Sequence, residues 1–218
     1  MDQLIFKFPF STTYFEKDFY VSSNNFEAYK LLENWPNWPD KKINVFGPYG
    51  CGKTHLANIL NKKINSLFVR ADELKENTLK DLDRKDCLII EDYQNNIDEK
   101  FFYTILNIIN QNNKYIVINS VKPINKFEIK LIDLKSRLDN FINLGIKLPS
   151  DDLLRVIITK YFSDKQISIN VKILEYILKN IDRSYEKVFK FIKDVDILSL
   201  STGKSININL IKKVLKNE

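Results

Sequence analysis

The chain has 218 residues, a formal net charge of +6 and a pI near 9.1, with 44% hydrophobic and 28% charged residues. That length suffices for a full core and sets the expectation of one large domain, or one domain with a small appendage. No apolar run approaches the ~20 residues of a membrane span, and no basic segment followed by an apolar run opens the chain, so no membrane partner and a cytoplasmic location are expected. The lysines are scattered rather than gathered in one block. Such a balance permits contact with nucleic acid or another acidic partner, and equally fits a solvated basic surface. Two cysteines, Cys51 and Cys87, are a poor basis for a disulfide framework and are expected to stay reduced.

In chain order, Gln3-Leu4-Ile5-Phe6-Lys7-Phe8 reads either as a first strand or frayed terminus, or as a peptide that anchors Leu4 and Phe6 in a partner's apolar pocket while Gln3 hydrogen-bonds. The aromatic loop Asn34-Trp35-Pro36-Asn37-Trp38-Pro39 is expected to cover the edge of a sheet. Ile43-Asn44-Val45-Phe46 has strand character, and Gly47-Pro48-Tyr49-Gly50-Cys51-Gly52-Lys53-Thr54 then fills every fixed position of the phosphate-binding pattern G-x-x-x-x-G-K-S/T. His55-Leu56-Ala57-Asn58-Ile59-Leu60 begins a helical apolar pattern, so strand, loop and helix follow in the order the chemistry needs. The run Gly47 to His55 is therefore expected to hold ADP or ATP. Loop N–H groups and the helix N-terminus face the phosphates, Lys53 reaches the β and γ oxygens, and the Thr54 hydroxyl ligates Mg2+.

Further along, strand-length apolar runs at Ser66–Val69, Cys87–Ile90, Tyr115–Asn119 and Phe141–Leu148 alternate with helical stripes, the signature of a covered parallel sheet. One stripe contains Phe101, Phe102, Ile105, Leu106, Ile108 and Ile109; a second contains Phe127, Leu131, Leu134 and Leu138. Leu88-Ile89-Ile90-Glu91-Asp92 is an apolar strand closing on two acids, with Glu91 assigned to the metal and Asp92 to the attacking water. The strand ending Asn119-Ser120 offers either residue to a γ-phosphate or a lytic water, or either as a loop cap. After Pro149 the pattern changes to helices only, near 151–163, 171–181, 184–199 and 207–216, with Ser150, Asp151 and Asp152 as the first helix start. The expected organisation is an N-terminal peptide at 1–10, a nucleotide-binding α/β domain at 11–149 and a helical lid at 150–218.

These pieces resemble an AAA+ ATPase, a parallel-sheet P-loop core followed by a small helical lid. Gly52-Lys53-Thr54-His55-Leu56, Ile90-Glu91-Asp92-Tyr93-Gln94, Leu134-Lys135-Ser136-Arg137-Leu138 and Asp182-Arg183 occur in the order and spacing of the ATPase module of the replication initiator DnaA. Asp18-Phe19-Tyr20-Val21-Ser22-Ser23-Asn24-Asn25 is similar to the stretch preceding that module, which implies Phe19 and Val21 near the adenine. The sequence opens almost directly on the module and runs to shortly after Leu210-Ile211-Lys212-Lys213-Val214-Leu215, so a helix-turn-helix domain like that of DnaA is not expected. That architecture resembles the Hda family, DnaA-related regulators of replication initiation. The resemblance implies DnaA and the polymerase sliding clamp (its beta subunit) as partners, with Gln3, Leu4 and Phe6 binding the clamp. It implies that Arg137 acts in trans on a neighbour's nucleotide and that Arg183 senses the chain's own. Read from the residues alone, Arg137 equally fits a pair with Asp133 or Asp139, and Arg183 one with Asp182 or Glu186. A homo-oligomer and weak DNA contact are compatible with the resemblance. The pair Glu91-Asp92 departs from the Asp-Asp of DnaA, so intrinsic hydrolysis is expected to be weak. A helicase-loader or transposition-helper ATPase shares the same core; a small-molecule kinase shares only the loop.

Overall fold

The structure is a computed structural model that describes Glu16, residues 19–203 and residues 205–216. The expected clamp peptide, Gln3, Leu4 and Phe6, lies outside the described residues. The chain divides into two compact units, one within Tyr14–Lys147 and one taking in Leu148–Glu218.

In the first unit, α1 (Phe26–Glu33) precedes β1 (Lys42–Phe46), α2 (Lys53–Lys63), β2 (Ser66–Arg70), α3 (Glu76–Leu82), β3 (Cys87–Tyr93), α4 (Glu99–Gln111), β4 (Tyr115–Ser120), α5 (Ile132–Asp139) and β5 (Ile142–Gly145). The five strands form one parallel sheet in the order β2-β3-β4-β1-β5. Leu88, Ile89 and Ile90 of β3 and Ile116, Val117 and Ile118 of β4 are completely buried. Such unbroken apolar runs are stable because helices cover both faces of a parallel sheet. From β1 the chain crosses to the outer strand β2, returns through β3 to β4 beside β1, and then passes β1 to β5. The carboxyl ends of β1, β3 and β4 therefore lie together at one end of the parallel sheet, the end at which such sheets bind ligands.

Four local expectations are corrected here. The stripe Phe127 to Leu138 is not one helix: Phe127, Ile129 and Leu131 pack on the core from a non-helical stretch, and α5 starts only at Ile132. The Glu99 carboxylate accepts from the backbone N–H groups of Lys130 (3.0 Å) and Leu131 (2.7 Å), fixing the helix start. Second, β5 is shorter than Phe141–Leu148, because only Ile142–Gly145 pairs with β1, and Leu148 is exposed. Third, β3 runs on through the acidic pair to Tyr93, with a register break between Ile90 and Tyr93. Finally, the Trp35 and Trp38 rings pack on Tyr115 with centroids 4.2 and 5.5 Å away. They therefore cover the start of β4, an inner strand, rather than an edge strand.

The second unit contains α6 (Asp151–Asp164), α7 (Val171–Asn180), α8 (Tyr185–Thr202) and α9 (Ile208–Leu215). Ser150, Asn170 and Asn207 cap three of these helices by accepting from the N–H groups of Leu153, Lys172 and Leu210. Gly203, at φ 62°, ends α8 in the left-handed region, where a glycine costs least. Leu154, Ile158, Phe162, Phe191, Ile192 and Ile211 form the centre of a separate apolar core. Asp196, buried on α8, is ion-paired with Lys165. No helix among the described residues is long and apolar enough to cross a membrane.

Candidate nucleotide site

The loop between β1 and α2 owes its path to its glycines. Gly50 and Gly52 sit at φ 76° and 100°, which side chains disfavour. A Cβ on Gly47 would lie 2.6 Å from the Ile146 carbonyl oxygen. The loop delivers the chain into α2 with Gly52 as N-cap and Lys53 as the first helical residue, so the helix N-terminus faces the loop's concave side. The buried Lys53 ammonium donates to the carbonyls of Gly47 (2.8 Å) and Pro48 (3.0 Å). Tyr49 is exposed, and its hydroxyl accepts from Gln94 Nε2 at 3.0 Å, linking the loop to the segment after β3. Cys51, in the loop, and Cys87, in β3, are both buried, and burial pushes both thiol pKa values up.

At the carboxyl end of β3 the acidic pair splits. Glu91 is 4% exposed and accepts from Thr54 Oγ1 (2.9 Å) and Asn119 Nδ2 (2.5 Å). Burial raises its carboxyl pKa above the usual range, opposed by the hydrogen bonds from Thr54 and Asn119. Asp92, at φ 54°, turns outward and pairs with Arg70 at 2.9 Å. The register break after Ile90 re-aims adjacent side chains in this way. Among the described residues no cluster of three or more His, Cys, Asp or Glu forms a metal cage. The oxygen pair Thr54 Oγ1 and Glu91 Oε2 nevertheless suits Mg2+, which is usually held by one or two protein oxygens together with phosphates and water.

The structure separates Asn119 from Ser120. The Ser120 hydroxyl accepts from Asn44 Nδ2 (2.8 Å) and donates to the Lys122 carbonyl (2.7 Å), so it ties the loop down. Asn119 faces Glu91, and its Oδ1 is buried without a hydrogen-bond partner. An amide with a spare buried acceptor is the polar group of this pair left for a ligand or water. Phe19 lies beside the start of α2: its ring meets His55 edge-on at 5.3 Å and stacks with Tyr29 at 5.9 Å, and a Cβ on Gly52 would come within 3.0 Å of it. Val21 is half-buried.

Arg137, on α5, is half-buried, with its guanidinium 4.7 Å from the centre of the Tyr103 ring and 3.5 Å from the Tyr103 hydroxyl. It pairs with neither Asp133 nor Asp139. In the second unit, Arg183 makes a two-pronged contact with Asp151, Nε to Oδ1 at 2.9 Å and Nη2 to Oδ2 at 3.1 Å. Asp182 instead pairs with Lys187 at 2.6 Å, so neither Asp182 nor Glu186 neutralises Arg183. Sequence reasoning missed Asn44, Arg70, Glu99 and Tyr103. An isolated polar residue inside the apolar run Ile43 to Phe46 was the signal for Asn44; the others had none.

The chain has a P-loop fold of the AAA+ type, a five-stranded parallel core followed in sequence by a helical unit. Curated proteins that it resembles include replication initiators. The chain is 28% identical over 268 residues to the chromosomal replication initiator protein DnaA of Borreliella burgdorferi, covering 98% of this chain and 55% of that protein. It spans about half the length of the curated relatives it matches. Domain III of Thermotoga maritima DnaA superposes with a TM-score of 0.74 at 20% identity, covering 96% of this chain and 98% of that one. AMPPCP-bound DnaA from Aquifex aeolicus superposes with a TM-score of 0.65 at 21% identity, covering 87% and 66%. At such identities the structural likeness speaks for the fold alone. A family model described as RNA helicase matches residues 43–126, the P-loop to β4 portion.

Proposed function

We propose that this chain is a nucleotide-holding regulator of the Hda type, which acts with the DNA-loaded sliding clamp to stimulate ATP hydrolysis by DnaA and so restrains re-initiation of replication. The observation that carries this reading is Arg137. A guanidinium seated on an aromatic face, with no carboxylate among the described residues to neutralise it, suits action on a phosphoryl group of another molecule.

The chain's own site fits retention of ADP or ATP better than turnover. Lys53, Thr54 and the loop N–H groups would hold the phosphates, Thr54 and Glu91 the Mg2+, and Phe19 and Val21 would flank the adenine. AMPPCP bound to the Aquifex DnaA supports a nucleotide in this position. Asp92, which would polarise the water, is held outward by Arg70. Bound nucleotide supplies phosphate charge that fixes the loop; the chain's residues hold and orient it. Gln3, Leu4 and Phe6, within a peptide at 1–10, would recruit the clamp. The α/β domain at 11–149 and the lid at 150–218, with Arg183 as its nucleotide sensor, complete the assignment.

The test is a turnover assay with DnaA–ATP, DNA-loaded clamp and limiting amounts of this protein. Arg137→Ala should keep ADP affinity and clamp capture yet reduce stimulated hydrolysis by about 10³-fold or more. Arg137→Lys should rescue little, because the planar fork is lost. Replacing Gln3 and Leu4 by Ala should abolish clamp capture alone. Wild-type turnover by Arg137→Ala would sink the proposal. Clamp-independent DNA binding with a steep salt dependence would favour a loader-type ATPase instead.

A further inference from the structure

We propose that Tyr103 is the positioning residue that presents Arg137 to its target, with α4 acting as the template for α5. This rests on the trans-acting role of Arg137 given above. The two helices meet at both ends of a short span. Glu99, in the first turn of α4, accepts from the N–H groups of Lys130 and Leu131 and so fixes where α5 begins. Tyr103 lies four residues further along the same helix, on the same face. Its ring carries the Arg137 guanidinium at 4.7 Å, and its hydroxyl sits 3.5 Å from Nη2. The second distance is at the limit of a hydrogen bond, so the ring face is the main contact.

The physics separates this contact from an ordinary ion pair. A carboxylate partner would orient Arg137 but cancel its charge, leaving less to act on a phosphoryl oxygen. An aromatic face restricts the long arginine side chain while its charge and N–H groups stay available. An unsupported arginine carries up to ~2 kcal/mol of rotamer entropy. Among the described residues no carboxylate pairs with Arg137, although Asp133 and Asp139 flank it in sequence. Tyr103 is half-buried and packs on the core cluster, so its own ring is held before Arg137 meets it.

The experiment compares Tyr103→Phe and Tyr103→Leu with wild type and Arg137→Ala in the DnaA–ATP turnover assay, varying the concentration of this protein. Phe keeps the π face; Leu keeps apolar volume against α5 and removes it. Tyr103→Leu should lower maximal turnover by roughly 3- to 30-fold without changing the half-saturating concentration, whereas Tyr103→Phe should stay within about 2-fold of wild type. The Arg137 side-chain protons should show an upfield ring-current shift by NMR in wild type and Tyr103→Phe that is absent in Tyr103→Leu. Full turnover by Tyr103→Leu, with Arg137→Ala inactive, would overturn the presentation role and leave the regulator reading standing. A rise only in the half-saturating concentration would overturn it too, making Tyr103 a contact surface. Full turnover by Arg137→Ala would instead remove the regulator reading itself.

Discussion

Asn44 gives the most direct test of how the site is built. It is completely buried in β1, donates to the Ile118 carbonyl (2.8 Å) and the Ser120 hydroxyl (2.8 Å), and accepts from the Ile124 N–H (2.9 Å). One amide thus locks β4 and the loop after it, the segment that sets Asn119 against Glu91. In Asn44→Ala the buried Ile124 N–H loses its partner, at a cost of about 1–3 kcal/mol, and two further hydrogen bonds of about 1 kcal/mol each disappear. The expected loss is about 3–5 kcal/mol. Asn44→Asp keeps the acceptor for Ile124 but turns both donors into a buried charge, so at pH 7 it should be the less stable of the two variants. The assay is guanidinium unfolding followed by tryptophan fluorescence. The chain's two tryptophans, Trp35 and Trp38, both lie in the α/β unit on Tyr115, so the signal reports that unit alone. A change within about 0.5 kcal/mol at unaltered slope would refute the idea that the Asn44 network is what anchors the loop.

Two further outcomes address the nucleotide. With ADP at ~100 dissociation constants the fold should gain about 2.7 kcal/mol, and Lys53→Ala should lose most of that gain; equal thermal shifts in both proteins would remove the site assignment. Glu91 tests the acidic strand through pH. Burial holds its carboxyl pKa above the ordinary 4.5, so the folded state binds that proton more tightly than the unfolded chain does. Its contribution is therefore fully present below pH 4.5 and is lost as pH rises through the raised folded value. Glu91→Gln should accordingly be more stable than wild type at pH 7 to 8. The gap should close towards pH 4.5, while Mg2+-dependent nucleotide binding weakens at neutral pH. A stability difference that stays constant across this range would contradict the assignment of the raised pKa to Glu91.

The sequence by itself determined what is encoded locally. Gly47 to Thr54 specifies a phosphate loop because its glycines and lysine act within one turn of chain. The helices of the second unit are legible because their apolar spacing and the caps Ser150 and Asn207 are written within a few residues of each helix. The shorter α1 and α3 lacked such marks, and Phe127 to Leu138 carried a helical stripe that Glu99, from another helix, cut at Ile132. Tertiary structure alone decided the partners. Parallel pairing sets Arg70 opposite Glu91 and thereby brings it to Asp92; the same pairing sets Asn44 opposite Ile118. Packing of α4 on α5 chose Tyr103, rather than Asp133 or Asp139, for Arg137. Periodicity and capping are short-range and survive in a one-dimensional reading. Which charge meets which depends on strand register and helix packing between residues far apart in the chain, and those are fixed only when the sheet and its covering helices assemble.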